Sequence, residues 1–250
     1  METVLIITST ILYIIALITY FFKLKQSFTY YLIYFAATLQ LAVLVLRSVV
    51  SGHVPFTNSY ETLLLFPFLI SLRLIFWRDQ ITYVHRWSVI LLIVLLNSIA
   101  ITLSGSLKIA RPLMPALNSF WLYFHVPSYF FGYVSMSIAF IYSIILIVTP
   151  NRENNNLIKR LDNEIKIAFF FLNVGLITGA IWAYVSWGNY WSWDPKEVWA
   201  LINILVLSFY FHLQTPTTRK KAAIVIITFL TLIFTYWGVN FILAGLHSYA

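Results

Sequence analysis

Residues 187–199 read Trp187-Gly188-Asn189-Tyr190-Trp191-Ser192-Trp193-Asp194-Pro195-Lys196-Glu197-Val198-Trp199, which places four of the nine tryptophans in one short stretch. An indole combines a broad apolar face with a single N–H donor, so tryptophan suits membrane–water boundaries and surfaces that receive flat ligands. Asp194-Pro195-Lys196-Glu197 is a helix start, with Asp194 as N-cap, Pro195 at the first helical position and Glu197 reaching back from the third. Apolar runs flank the stretch at about 166–186 and 196–213. The Trp-rich segment is therefore a loop joining two long apolar helices.

The same pattern continues outward. Further apolar runs lie at about 4–22, 30–50, 60–76, 88–103, 124–149 and 222–243. A bilayer core requires about 20 apolar residues per helix, and the strict alternation of a membrane β-barrel is absent. The chain is 61% hydrophobic and 10% charged, with a mean hydropathy of +0.85. These values define an all-α, polytopic integral membrane protein with about eight transmembrane helices. No Pro/Gly/Ser-rich linker interrupts it, so residues 1–250 are expected to form a single transmembrane domain. The run from Val4 to Phe22 is too long for a signal-peptide core and lacks a preceding basic segment, so it is expected to be retained. With no cysteine, the protein forms no disulfide and cannot itself be a thiol reductant.

A net charge of +8 would fit nucleic acid if it were gathered on one soluble face. Here it is spread among short loops, so the expected surroundings are membrane lipid, and no nucleic acid is expected. Alternating loops divide the 16 basic residues twelve to four. The poorer side holds Arg47, Lys108, Arg111 and Lys196, and the positive-inside rule then puts both termini and the Trp-rich loop outside the cytoplasm. His53, His125 and His247 fall on that outer side. His85 falls in a basic cytoplasmic loop. His212 follows Pro195 by 17 residues, which is about 26 Å along a helix, near the inner end. Any one of these histidines, taken alone, has an ordinary structural reading as a hydrogen-bonding residue. The spacing Asn58-x-x-Glu61 is likewise a helix-capping pattern.

The pattern Trp187-Gly-x-x-Trp191-x-Trp193-Asp194-Pro195-Lys196-Glu197 resembles the WWD signature of the haem-handling membrane proteins of cytochrome c maturation, and within them the CcsA (ResC) branch. The likeness extends to Trp121-Leu-x-x-His125-Val126, to Gly245-Leu246-His247-Ser248-Tyr249, and to Ser51-Gly52-His53-Val54-Pro55 with Asn58-x-Tyr60-Glu61. It covers most of the chain.

The resemblance implies that His125 and His247 are axial ligands to haem iron at an outer site, and that His212 serves a second, inner haem site. Two outer imidazoles beside an aromatic shelf are also what an iron porphyrin requires. Trp187, Trp191 and Trp193 are the candidate shelf. Lys196 is the candidate partner for a haem propionate, since buried carboxylates take cationic partners. Asp194, which also reads as a cap, and His53, whose part the resemblance does not specify, complete the candidate haem-binding residues.

The implied function is that of a system II cytochrome c synthase component. Such a protein receives haem b and presents its vinyl groups to the Cys-x-x-Cys-His thiols of an apocytochrome c, together with a ResB/Ccs1-like membrane partner. The site lies in the bacterial inner or the thylakoid membrane. Two alternatives share the composition: a CcmC-type subunit that delivers haem without ligation, and a respiratory haem b subunit. A solute transporter without haem is a third.

Overall fold

A computed structural model of the chain describes residues 1–76, 83–103, 105–109, 112–149, 155–213, 217–243 and 245–246, with the backbone alone described at 83–85, 106 and 107. Two compact units divide it, Met1–Met114 and Pro115–Ala250. Eight long helices and some short turns make up the described residues, and no strand occurs among them.

In the first unit α1 (Glu2–Phe21), α2 (Gln26–Ser51), α3 (Ser59–Phe76) and α4 (Tyr83–Thr102) are followed by the short α5 (Gly105–Lys108). Helix α1 packs on α2 and α4, and α3 packs on the same two, so the four close into a ring. A line of polar side chains crosses its interior. The Tyr13 hydroxyl donates to Gln40 Oε1 (2.8 Å) and lies 2.7 Å from Ser71 Oγ, while Gln40 Nε2 donates to Asn97 Oδ1 (2.8 Å). One residue from each of the four helices is thereby tied in, and polar groups within apolar helices act as such glue because hydrocarbon offers them no other partner. Outside, Ile7, Ile11, Ile14 and Ile18 form an exposed stripe along α1. Their i, i+4, i+7, i+11 spacing is one helix face, and lipid accounts for its exposure.

One end of this unit holds a buried ion pair. Arg47, 2% exposed, donates from Nε to Glu61 Oε1 (3.1 Å), and from Nη1 to the Lys108 carbonyl (2.5 Å). Glu61 Oε2 accepts from the Thr57 amide and hydroxyl, and Asn58 Oδ1 accepts from the Glu61 amide. The expected Asn58–Glu61 cap is therefore present, and the same carboxylate also anchors the loop that carries His53. That loop begins where Gly52, at φ 75°, ends α2 in the left-handed conformation open to glycine.

In the second unit a 3₁₀ turn (Pro115–Leu117) precedes α6 (Leu122–Val148), α7 (Asn155–Trp187), α8 (Pro195–His212) and α9 (Thr218–Ile233). The last continues through a π-helical turn (Phe234–Gly238) into α10 (Val239–Ile242). Helix α6 packs against α7 and α9, and α8 against the same pair. Glycines set the α6–α7 approach: a Cβ on Gly132 would meet the Leu172 side chain at 2.9 Å, and one on Gly175 would meet the Tyr129 ring at 2.8 Å. Small residues let helices approach closely in the same way across membranes.

Among the described residues six helices are long and apolar enough to cross a membrane, all but two of the eight. The apolar part of α4, Arg86–Thr102, is shorter, and α8 has 18 residues. Two boundaries depart from expectation. Helix α7 begins at Asn155, well before its apolar run, because Leu157, Leu161 and Ile165 form a buried stripe between polar residues. His85, expected in a loop, belongs to the first turn of α4.

Candidate functional site

The loop between α7 and α8 is held chiefly from its C-terminal side. Gly188, at φ 81°, turns the chain out of α7, its amide donating to the Tyr184 carbonyl at 2.8 Å. At the far end the expected capping box is complete. Asp194 Oδ2 accepts from the Lys196 amide (3.1 Å), and Glu197 Oε2 accepts from the amides of Asp194 (3.2 Å) and Ser192 (2.8 Å). One carboxylate thus gathers the loop onto the first turn of α8. Between these anchors Trp193 stands at φ 58° with 74% of its surface exposed. A bulky residue with positive φ is a strained outlier, and here the strain pushes an indole out of the fold.

The three candidate shelf tryptophans do not form one flat sheet. Trp187 meets the buried Trp182 edge-on, with ring centroids 4.7 Å apart. Trp191 and Trp193 stand at 90° to each other, 6.0 Å apart, as a wall and a floor. The parallel pair is Tyr184 with Tyr190, at 4.4 Å and 8°.

His125, at the N-terminal end of α6, is joined to this loop through Trp182. Its imidazole stacks on the buried Trp182 indole (5.6 Å, 13°) and meets Tyr129 edge-on (5.1 Å). Trp182 is itself fixed by an Nε1–H bond to the Ala116 carbonyl at 3.0 Å. The seat behind the ring exists because α7 carries glycine there: a Cβ on Gly179 would lie 2.5 Å from the imidazole. Nδ1 is 2.9 Å from the Gly175 carbonyl. A carbonyl only accepts, so Nδ1 carries a proton, and in the neutral ring the lone pair is then on Nε2. Metal-binding histidines are commonly oriented by such a bond on the other ring nitrogen.

The segment leading to His247 reaches the same loop. Asp194 Oδ1 accepts from the Leu246 amide at 2.5 Å, and a Cβ on Gly245 would collide with that oxygen. His247 itself lies outside the described residues, as do Arg111 and the side chain of His85. Lys196 is half-buried and donates to Asn240 Oδ1 at 2.8 Å, tying the start of α8 to α10. His212 is exposed in the last turn of α8, at the opposite end of that helix from Asp194. His53 lies in the first unit, with Nδ1 3.0 Å from the Val54 carbonyl. Among the described residues no group of three or more His, Asp, Glu or Cys could hold a bare metal ion.

The sequence motifs do not single out Trp182, Gly175, Gly179 or Asn240, and they include Gly245 only as a neighbour of His247. A signal for the first three was present, since Gly175-Leu-Ile-Thr-Gly179 with Trp182 one turn on is a small-xxx-small face. Gly245 and Asn240 matter through contacts across about 45 to 50 residues of chain.

The helices, their apolar outer faces and the tryptophan loop define a multi-pass membrane protein with an aromatic, histidine-bearing loop end. The profile of the Cytochrome C assembly protein family matches residues 2–247, and the chain belongs to that family. Relatives include the cytochrome c biogenesis proteins CcsA of Chlamydomonas reinhardtii (35% identical, covering 83% of this chain and 64% of that protein), Prochlorococcus marinus strain MIT 9301 (31%, covering 91% and 86%) and Guillardia theta (32%, covering 81% and 79%). The chain thus spans under two thirds of the Chlamydomonas protein and most of the other two.

Proposed function

We propose that this protein serves cytochrome c biogenesis by binding haem b at the Trp187–Trp199 loop and presenting it for covalent attachment to apocytochrome c. The observation that carries this reading is the seat of His125. Its ring is stacked on Trp182, backed by Gly179 and held with Nδ1 protonated against the Gly175 carbonyl, and Trp182 in turn touches Trp187 of the loop.

Nε2 of His125 and the imidazole of His247 are the axial ligands. The exposed Trp193, with Trp191 standing perpendicular to it, receives the macrocycle, and Lys196 is the partner for a propionate. Trp187, half-buried like Trp191, links this surface to Trp182. His212 serves an inner site at the far end of α8, where haem is taken up before it moves outward. His53 belongs to the first unit, and both units act as one haem-handling domain, in keeping with a family match across both.

Attachment adds each substrate thiol S–H across a vinyl C=C, and no atom leaves. The chain's contribution is then placement: holding the reacting groups together replaces a bimolecular encounter. Both thiols come from the apocytochrome, because this chain has no cysteine. A ResB/Ccs1-like membrane protein is the partner, and the loop faces the periplasm or lumen.

The test is the absorption spectrum, oxidised and reduced, of detergent-purified protein produced with and without that partner, for the natural chain and for His125→Ala and His247→Ala. A low-spin b-type spectrum that either substitution abolishes or perturbs, with added imidazole restoring it, is the expected result. A colourless natural protein in both preparations, or histidine variants with unchanged haem and unchanged cytochrome c maturation, would overturn the reading.

A further inference from the structure

One face of α7 carries side chains at the spacing i, i+3, i+4, i+7, i+8 and i+11, from Lys166 through Phe169, Phe170, Asn173 and Val174 to Ile177. With Phe211, in the last turn of α8, they line a groove of about 440 Å³. The Phe211 ring meets Phe169 edge-on at 5.1 Å and closes one side. Asn173 turns its amide back on its own helix, Nδ2 donating to the Phe169 carbonyl at 2.7 Å. The remaining walls are apolar.

The groove has a definite depth. Lys166 precedes Trp187 by 21 residues, about 32 Å of helix, which matches the hydrocarbon thickness of a bilayer. With Trp187 at one membrane boundary, Lys166 stands at the other. Ile177 lies 11 residues on from Lys166, about 16 Å along the helix, and so near the midplane. The groove is thus one leaflet deep, with a cation at its mouth. Lys166 is exposed and forms no ion pair with any described residue. Asp162, one turn earlier on α7, is already held by Lys221 and by the Tyr210 hydroxyl.

We propose that this groove binds an acyl chain of an anionic phospholipid from the leaflet at that face, with the headgroup phosphate on Lys166. The inference depends on α7 crossing the membrane and is independent of the haem reading. Basic pockets between membrane helices take anionic headgroups in this way. Two other occupants fit the lining less well. Haem iron takes His, Met, Cys or Tyr donors, and no lining residue is one of these; His212 follows Phe211 but does not line the groove. A helix of another membrane protein packs best on small residues that let backbones approach, whereas every apolar residue here is bulky. A flexible hydrocarbon chain fills such a space without needing a polar partner.

Native mass spectrometry of the detergent-purified, delipidated chain tests this, with phosphatidylglycerol or phosphatidylcholine of the same acyl chains added back at equal concentration. The natural protein should retain phosphatidylglycerol about fivefold better, the worth of one cation at an anionic lipid surface. Lys166→Gln should bring the two lipids level and leave phosphatidylcholine unchanged. Ile177→Trp fills the deep end and should lower retention of both alike. Both side chains are exposed, Ile177 at 62%, so each variant keeps the helix packing. Equal retention of the two lipids by the natural protein would overturn the proposal, as would a preference that survives Lys166→Gln. Lipid retention unaffected by Ile177→Trp would mean that no chain occupies the groove, and would overturn it as well. Loss of bound haem in Ile177→Trp with lipid retention unchanged would give the groove to haem instead.

Discussion

At the scale of single residues, the most exacting position is one with no side chain. Gly179 lies where a methyl group would enter the His125 ring, at 2.5 Å from two of its atoms. The ring cannot retreat freely, because Trp182 is stacked on it and Tyr129 meets it edge-on. Gly179→Ala is therefore expected to push the imidazole off the Gly175 carbonyl, at a cost of about 1–3 kcal/mol for overpacking. Thermal unfolding in detergent measures that cost, and the same protein should show a perturbed or missing outer haem spectrum. An unchanged spectrum would mean that the ring position does not matter for binding. Trp193 is the opposite case. Its backbone strain at φ 58° serves no packing, since 74% of the residue is exposed, and strain kept without packing benefit points to a surface role.

At the scale of elements, two carboxylates, Glu61 buried and Glu197 half-buried, solve the same problem by different means. Glu197 fixes the tryptophan loop by accepting two amides, those of Ser192 and Asp194, both within five residues of it in sequence. Glu61 accepts the Thr57 amide in a similar way and also pairs with Arg47 from another helix. The pair is almost completely enclosed, with side-chain exposures of 2% and 1%. Removing one partner leaves an uncompensated buried charge, which typically costs about 3–5 kcal/mol, whereas replacing both is far milder. Arg47→Met should accordingly lower the unfolding temperature sharply, and Arg47→Met with Glu61→Gln should recover most of the loss. A double variant as unstable as the single one would show that Arg47 matters through its bond to the Lys108 carbonyl and not through charge.

At the scale of the whole molecule, each unit is a ring of four long helices, with the polar groups turned inward and apolar stripes outward. The proposed orientation can be tested cleanly, because the chain contains no cysteine. A single cysteine at Tyr190, in the exposed tryptophan loop, should react with a membrane-impermeant thiol reagent applied from outside intact cells. A cysteine at Lys159 or Lys220 should react only after the membrane is opened. The reverse pattern would invert the topology and place the tryptophan loop in the cytoplasm.

Much of this was legible in local sequence. Apolar run length announced the helices, because a bilayer demands a nearly fixed length of apolar residues and leaves backbone polar groups no partner but their own helix. Asp194-Pro195-x-Glu197 announced the start of α8, because a cap uses atoms within four residues of one another. Charge in loops suggested a sidedness for the same reason: it depends on where residues fall along the chain and not on what they touch. The extension of α7 to Asn155 was missed, since an amphipathic stripe outside the apolar run carries little hydropathy signal.

What only the tertiary structure decided is which residues share the loop end of the second unit. Asp194 is legible as a cap, but its second bond, to Leu246, spans 52 residues. His125 is legible as a candidate, but its tautomer depends on a carbonyl 50 residues away. The three tryptophans are legible as a cluster, and yet one of them meets Trp182 edge-on while the other two stand perpendicular to each other. Length, apolar composition and caps act between near neighbours along the chain, so the order of residues determines them. Ring orientation, glycine clearance and the second oxygen of a carboxylate are set by whatever the packed helices bring alongside, and that is decided only when the chain has folded.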